Sequence, residues 1–448
     1  MRREISRRDF LRGSAASAAT LAMSTVLGSA MTAAASEAVT IEFWHSMGGV
    51  NGTAMEYLVN KFNEENEYGI TVNATYQGDY DDTINKLRSS QIGSFSADLV
   101  QIYDIGTNFM VNSGFIVPMQ ELIDTAGYDT SVLEENILAY YTVNDELYSM
   151  PFNSSTPLLY YNVGMFEAAG ITEIPTSLEG IEAIAEQLLN EGGAQEVISL
   201  SIYGWFFEQF LCKMGLDYAD NGNGRDGAAT SVVFDSNGGA EKILTMWKQL
   251  YDEGYAPNVG TGGDAGLTDF VAGKSAITLG STASLKQILE DVNGTFEVGT
   301  AYFPSISEED EGGVSIGGGS LWALNNQDEV KQDAVWKFVE FLVSAESQAY
   351  WNAQTGYFPV TTEAVNEEVY QANMEEYPQF QTAIDQLHDS APEYAGALLS
   401  VFSDARATVQ SGIEDLLNGN RDVAGTVTYL ADTINDSITY YNLTNDVE

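Results

Sequence analysis

Only two histidines, His45 and His388, and one cysteine, Cys212, are present among 448 residues, so the side chains most used for nucleophilic, general-base or zinc chemistry are nearly absent. Neither histidine stands in an HExxH or other paired-ligand spacing, which leaves almost no material for a catalytic zinc or a Ser-His relay. Carboxylates abound instead: 65 Asp and Glu stand against 18 Lys and Arg, a formal net charge of -47. So many acids always supply some pair at glycosidase spacing, and no single pair is informative. Asp220-Asn221-Gly222-Asn223-Gly224 resembles the start of a calcium loop. Its alternating positions and terminal Glu are out of register, so an ordinary surface turn is expected. With a single cysteine no intrachain disulfide is possible, and Cys212 is expected to be a small buried apolar residue. No cofactor and no metal are expected.

Other segments offer hydroxyl, amide and aromatic groups in short clusters. They are Phe43-Trp44-His45-Ser46-Met47, Tyr76-Gln77-Gly78-Asp79-Tyr80, Ile102-Tyr103-Asp104, Pro151-Phe152-Asn153-Ser154-Ser155-Thr156-Pro157, Gly317-Gly318-Gly319-Ser320-Leu321-Trp322 and Thr355-Gly356-Tyr357-Phe358-Pro359. Three of them fall at or just after an expected strand end, where open α/β sheets bind ligands. Taken singly, each is equally a tight turn or a buried aromatic.

The elements that position these clusters follow from periodicity. Thr40 to Trp44 reads as a strand, and Met55, Leu58, Val59 and Phe62 recur at helical spacing until Asn63 to Asn66. Ile70 to Tyr76 is a second strand, Ile84 and Leu87 mark a second helix, and Asp98 to Tyr103 is a third strand. This β-α-β-α-β order predicts a parallel sheet with helical crossovers. Apolar periodicity returns at Ala334, Val335, Phe338, Val339 and Leu342, and Glu393 to Asp432 is expected to be helical. Asp220 to Gly227 and Gly260 to Gly266 are expected loops.

The amino-terminal residues are an address. Ser6-Arg7-Arg8-Asp9-Phe10-Leu11-Arg12 is a twin-arginine export signature, followed by a weakly apolar stretch and by Ala33-Ala34-Ala35. Residues 1–35 are therefore assigned to a signal peptide, with no cysteine near the cleavage point to carry a lipid anchor. Removing them takes away five Arg, one Glu and one Asp, leaving a net charge near -50. The acids are scattered through a chain that is 44% hydrophobic, which fits a folded protein with a hydrated surface suited to high salt. Nucleic acid and anionic lipid are poor partners for such a surface. Roughly 410 remaining residues exceed one ordinary core, so two lobes are expected.

Together, the quoted clusters resemble the sn-glycerol-3-phosphate-binding proteins of ABC importers, within the extracellular solute-binding proteins that also include maltose-binding proteins. The resemblance runs from about Val39 to about Asn418. FWHSM, PFNSSTP-x-LYYN, GG-x-SLW and TGY-x-P carry it. It implies a type 2 periplasmic-binding-protein fold, in which two α/β lobes joined by a hinge close on ligand in the cleft between them. The expected lobes are residues 39–150 with 304–352 and residues 151–303 with 353–448, with crossings near Pro151, Phe303 and Thr355.

The same resemblance implies the ligand contacts: Tyr80, Asp104, Ser155, Trp205, Ser281, Gly318, Tyr357 and Arg406, with Ile202 where the family has a second tryptophan. Hydroxyl donors, a glycine N–H and an arginine fork suit a phosphate, and a carboxylate with an aromatic face suits glycerol. Arg406 is expected to offer its fork to the phosphate, with a surface ion pair as the plain alternative. Its replacement is expected to leave the fold intact. The implied protein is a non-enzymatic monomer that captures glycerol 3-phosphate or a glycerophosphodiester outside the cytoplasmic membrane and delivers it to permease subunits. An oligosaccharide binder of the same superfamily and an exported hydrolase are the competing readings.

Overall fold

In the computed structural model, which describes residues 38–89 and 96–445, β1 (Val39–His45) lies between β2 (Ile70–Tyr76) and β3 (Leu99–Tyr103), parallel to both. All five residues of β3 are buried, as a strand covered by helices on both faces requires. The helix Gly49–Glu65 closes the first crossover and buries Ala54, Met55, Leu58, Val59 and Phe62. Asn66 ends it. Its amide donates to the Phe62 and Ile70 carbonyls and accepts from Ile70 N–H, tying the helix end to the start of β2.

The rest of this first sheet is antiparallel and comes from far along the chain. β12 (Gly317–Leu324) pairs with β3, with the two-residue β4 (Ile116–Val117), and with β7 (Met150–Ser155). A small hairpin, β5 (Thr142–Val143) with β6 (Glu146–Leu147), precedes β7. The second sheet has the order β11-β8-β10-β9, built from β8 (Pro157–Asn162), β9 (Glu196–Ser199), β10 (Ser275–Ser281) and β11 (Val298–Tyr302). The chain thus leaves the first sheet at Ser155 and enters the second at Pro157, a few residues beyond Pro151. It returns between Tyr302 and Gly317. All described residues belong to one compact unit.

Two local expectations need adjustment. The helical stretch placed at Glu393 to Asp432 is two helices, Phe402–Leu417 and Val423–Thr444, after an irregular segment over 395–401. Left-handed Gly419 follows the first helix, and the Asp422 side chain caps the second by accepting from Gly425 N–H. Cys212 is partly rather than fully buried, and burial pushes its thiol up to about 11. Asp220 to Gly224 is a left-handed turn. The Asp220 carboxylate accepts from Thr230 N–H and Ser231 N–H there. The export segment assigned to residues 1–35 lies outside the described residues. Among the described residues no helix is long and apolar enough to cross a membrane.

Candidate functional site

The ends of both sheets border one cavity of about 600 Å³, and all eight residues singled out from the sequence line it. Tyr80 begins the helix Tyr80–Ser89 after β2, and Asp104 is the first residue after β3. Ser155 ends β7 and Ser281 ends β10. Gly318 stands in β12 opposite Ser154, and Trp205 sits in the first turn of the helix Gly204–Lys213. Tyr357 follows left-handed Gly356 at the close of the helix Ala345–Thr355, and Arg406 comes from the helix Phe402–Leu417. Four strand ends therefore converge on one space, as the topology of open α/β sheets allows.

A chain of hydrogen bonds joins the short motifs. Ser46 N–H donates to Gln101 Oε1 at 2.9 Å, and Gln101 Nε2 donates to Asn153 Oδ1 at 2.7 Å. Asn153 Nδ2 in turn donates to the Tyr80 hydroxyl at 2.7 Å. Tyr80 also stacks on Tyr103, with ring centroids 5.1 Å apart and planes 12° from parallel. Burial holds the Tyr80 hydroxyl well above its ordinary pKa, so it stays protonated. Gly318 has φ +94°, and a Cβ there would lie 1.9 Å from the Asn153 carbonyl oxygen, so only glycine lets β12 and β7 meet at this point. Ser281 Oγ accepts from Ala283 N–H, which leaves its hydroxyl proton to donate elsewhere.

Arg406 is not a surface residue. It is 7% exposed, and its fork is already engaged. Nε donates to Glu208 Oε1 at 2.8 Å and Nη2 to Glu208 Oε2 at 2.7 Å, while Nη2 also reaches Asp104 Oδ2 at 3.4 Å. Nη1 takes part in none of these bonds. The Nε–Nη2 edge of the fork is therefore held by a carboxylate, and only Nη1 is left outside these bonds. Burial opposes the arginine's charge, but Glu208 and Asp104 outweigh burial and raise its pKa further. Asp104 is pushed up to about 6, first by burial and also by Glu208, with Arg406 pulling the other way. Burial likewise raises Asp264 on the cavity wall. One guanidinium thus faces several carboxylates, and the site carries no excess of positive charge.

Ile202 is fully buried in the core and is not among the cavity's lining residues, which include Tyr203, Trp205 and Phe206. The buried Trp205 Nε1 has no hydrogen-bond partner among the described residues. Glu208, Tyr203 and Asp264 were missed from the sequence. Glu208 did have a signal: it is the one charged residue in the mostly apolar helical run Gly204-Trp205-Phe206-Phe207-Glu208-Gln209-Phe210-Leu211, three residues from Trp205 on the same face. Asp264 lies in a loop among many acids and had none.

Two α/β sheets, a polar cavity at their strand ends and chain crossings between them define the class of two-lobed solute-binding proteins. Residues 57–382 match the family model of bacterial extracellular solute-binding proteins, and the chain belongs to that family. Residues 4–24 match the twin-arginine translocation signal, so the protein is exported. The sn-glycerol-3-phosphate-binding periplasmic protein UgpB of Escherichia coli strain K12 is 31% identical over 412 residues, covering 89% of this chain and 92% of that protein. The UgpB structure from Mycobacterium tuberculosis in complex with glycerophosphocholine superposes with a TM-score of 0.76 at 23% identity, covering 90% of this chain and 99% of that one. MalE from Xanthomonas citri, a sugar-binding protein, gives a TM-score of 0.72 at 19% identity over 92% of this chain and all of that one. The two structural likenesses carry the fold. Members of this family bind small solutes for ABC importers.

Proposed function

We propose that this protein captures sn-glycerol 3-phosphate or a glycerophosphodiester between its two lobes and delivers it to the permease of an ABC importer, acting as a monomer and without catalysis. The convergence of Tyr80, Asp104, Ser155, Trp205, Ser281, Gly318, Tyr357 and Arg406 on one cavity carries this reading. The UgpB relatives' names support the ligand class. In this reading Ser155, Ser281, Tyr357, the Gly318 backbone and Arg406 Nη1 hold the phosphate. Asp104 accepts from glycerol hydroxyls, and Trp205 covers the carbon skeleton. The lobes are residues 39–155 with 304–352 and residues 156–303 with 353–448, the first boundary lying beyond Pro151 because β7 pairs within the first sheet. They close by rotation about the crossings near Thr156, Phe303 and Thr355.

Two observations favour a diester over the monoester. The cavity volume lies in the range that takes drug-sized ligands, about 300–1,000 Å³, and on its wall Asp104, Asp264 and Asp291 outnumber the cations Lys286 and Arg406, which disfavours a dianion. A thermal-shift and calorimetric panel of glycerol 3-phosphate, glycerophosphocholine, maltose and glycerol tests the reading. Binding near micromolar, roughly -8 kcal/mol, is expected for a phosphorylated ligand. Tight maltose binding with no response to either phosphate compound would move the protein to the sugar-binding branch.

A further inference from the structure

We propose that Glu208 is a positioning residue for ligand capture: it holds the Nε–Nη2 edge of Arg406 and so commits the Nη1 end of the guanidinium to the cavity. The proposal rests on the phosphate reading above, but it has a readout of its own. Glu208 is 9% exposed and is not among the residues lining the large cavity, so it acts through the arginine and not on the ligand. Its two oxygens accept in parallel from Nε and Nη2, the side-on geometry that fixes a guanidinium plane most firmly. Trp205 and Glu208 lie one turn apart on the helix Gly204–Lys213, so the turn that carries the indole to the cavity wall also carries the carboxylate to the arginine. Gly204 makes room for the contact, since a Cβ there would lie 2.4 Å from Arg406 Cγ. A long flexible side chain is thereby ordered before a ligand arrives, and less freedom is lost on binding.

The test is calorimetry with sn-glycerol 3-phosphate and glycerophosphocholine. Glu208→Gln should weaken both on the order of ten-fold, since an amide offers one acceptor oxygen where the carboxylate offers two, and Glu208→Asp should weaken both as well, because it keeps the charge but loses the reach. In an Arg406→Gln background Glu208→Gln should change nothing further. Tighter binding in Glu208→Gln would mean that charge rather than position governs the site, and additive losses would mean a merely structural role. Either result overturns the proposal. Nitrogen-15 spectra of the ligand-free protein should show an Arg406 Nε–H protected from exchange in the wild type and lost in Glu208→Gln. Equal protection in both would overturn the proposal, whereas failure of the wild type to bind either compound would overturn only the ligand assignment.

Discussion

Arg406→Ala should destabilise the unliganded protein as well as weaken binding, contrary to what its sequence context suggested. The Glu208 and Asp104 side chains are 10% and 6% exposed, and removing the arginine leaves both carboxylates buried without their cation. Breaking a buried pair from one side costs about 3–5 kcal/mol. The deficit should be largest near pH 7.5 and shrink toward pH 5, because protonation of the stranded carboxyls removes the uncompensated charge. Urea denaturation at molar salt, read by circular dichroism, measures it. The double variant Arg406→Met/Glu208→Leu removes this pair together and should recover part of the stability, Asp104 still lacking its cation, while leaving phosphate affinity low, since affinity loss from Arg406 alone is on the order of 2–5 kcal/mol. Identical unfolding midpoints for wild type and Arg406→Ala at pH 7.5 would refute the cluster as described.

Three further outcomes are expected. Asp104, raised in the fold from 3.8 to about 6, contributes stability as the neutral acid below pH 4 and loses it as pH rises through 6. Wild type should therefore lose on the order of 2–3 kcal/mol relative to Asp104→Asn between pH 4 and 7, measured by parallel urea titrations. Gly318→Ala, with positive φ and a backbone oxygen 1.9 Å from the new Cβ, should cost roughly 1–3 kcal/mol or more and abolish calorimetric binding. With a net charge of -47, the fold should weaken at low ionic strength as carboxylate repulsion goes unscreened. A circular dichroism series from dilute buffer to molar salt that showed equal melting would end the high-salt interpretation.

The sequence alone determined the export signal, the parallel β1-β2-β3 beginning and the expectation of two lobes, and the family resemblance of its short motifs implied eight of the residues that line the cavity. Strand and helix periods are local, and short motifs such as PFNSSTP and GGGSLW record backbone geometry that few other residues satisfy. What only the tertiary structure decided is how those residues meet. β12 joins the first sheet from some two hundred residues beyond β3, a pairing with no local signature. Ile202 and Trp205 are three apart in sequence, yet only the tryptophan reaches the cavity. Arg406, expected from the sequence to face phosphate or to form a surface ion pair, is half of a buried pair with Glu208, 198 positions away. Charge type is written in the sequence, but the partner of a charge depends on which surfaces folding takes out of water. That is set by packing across helices distant in the chain.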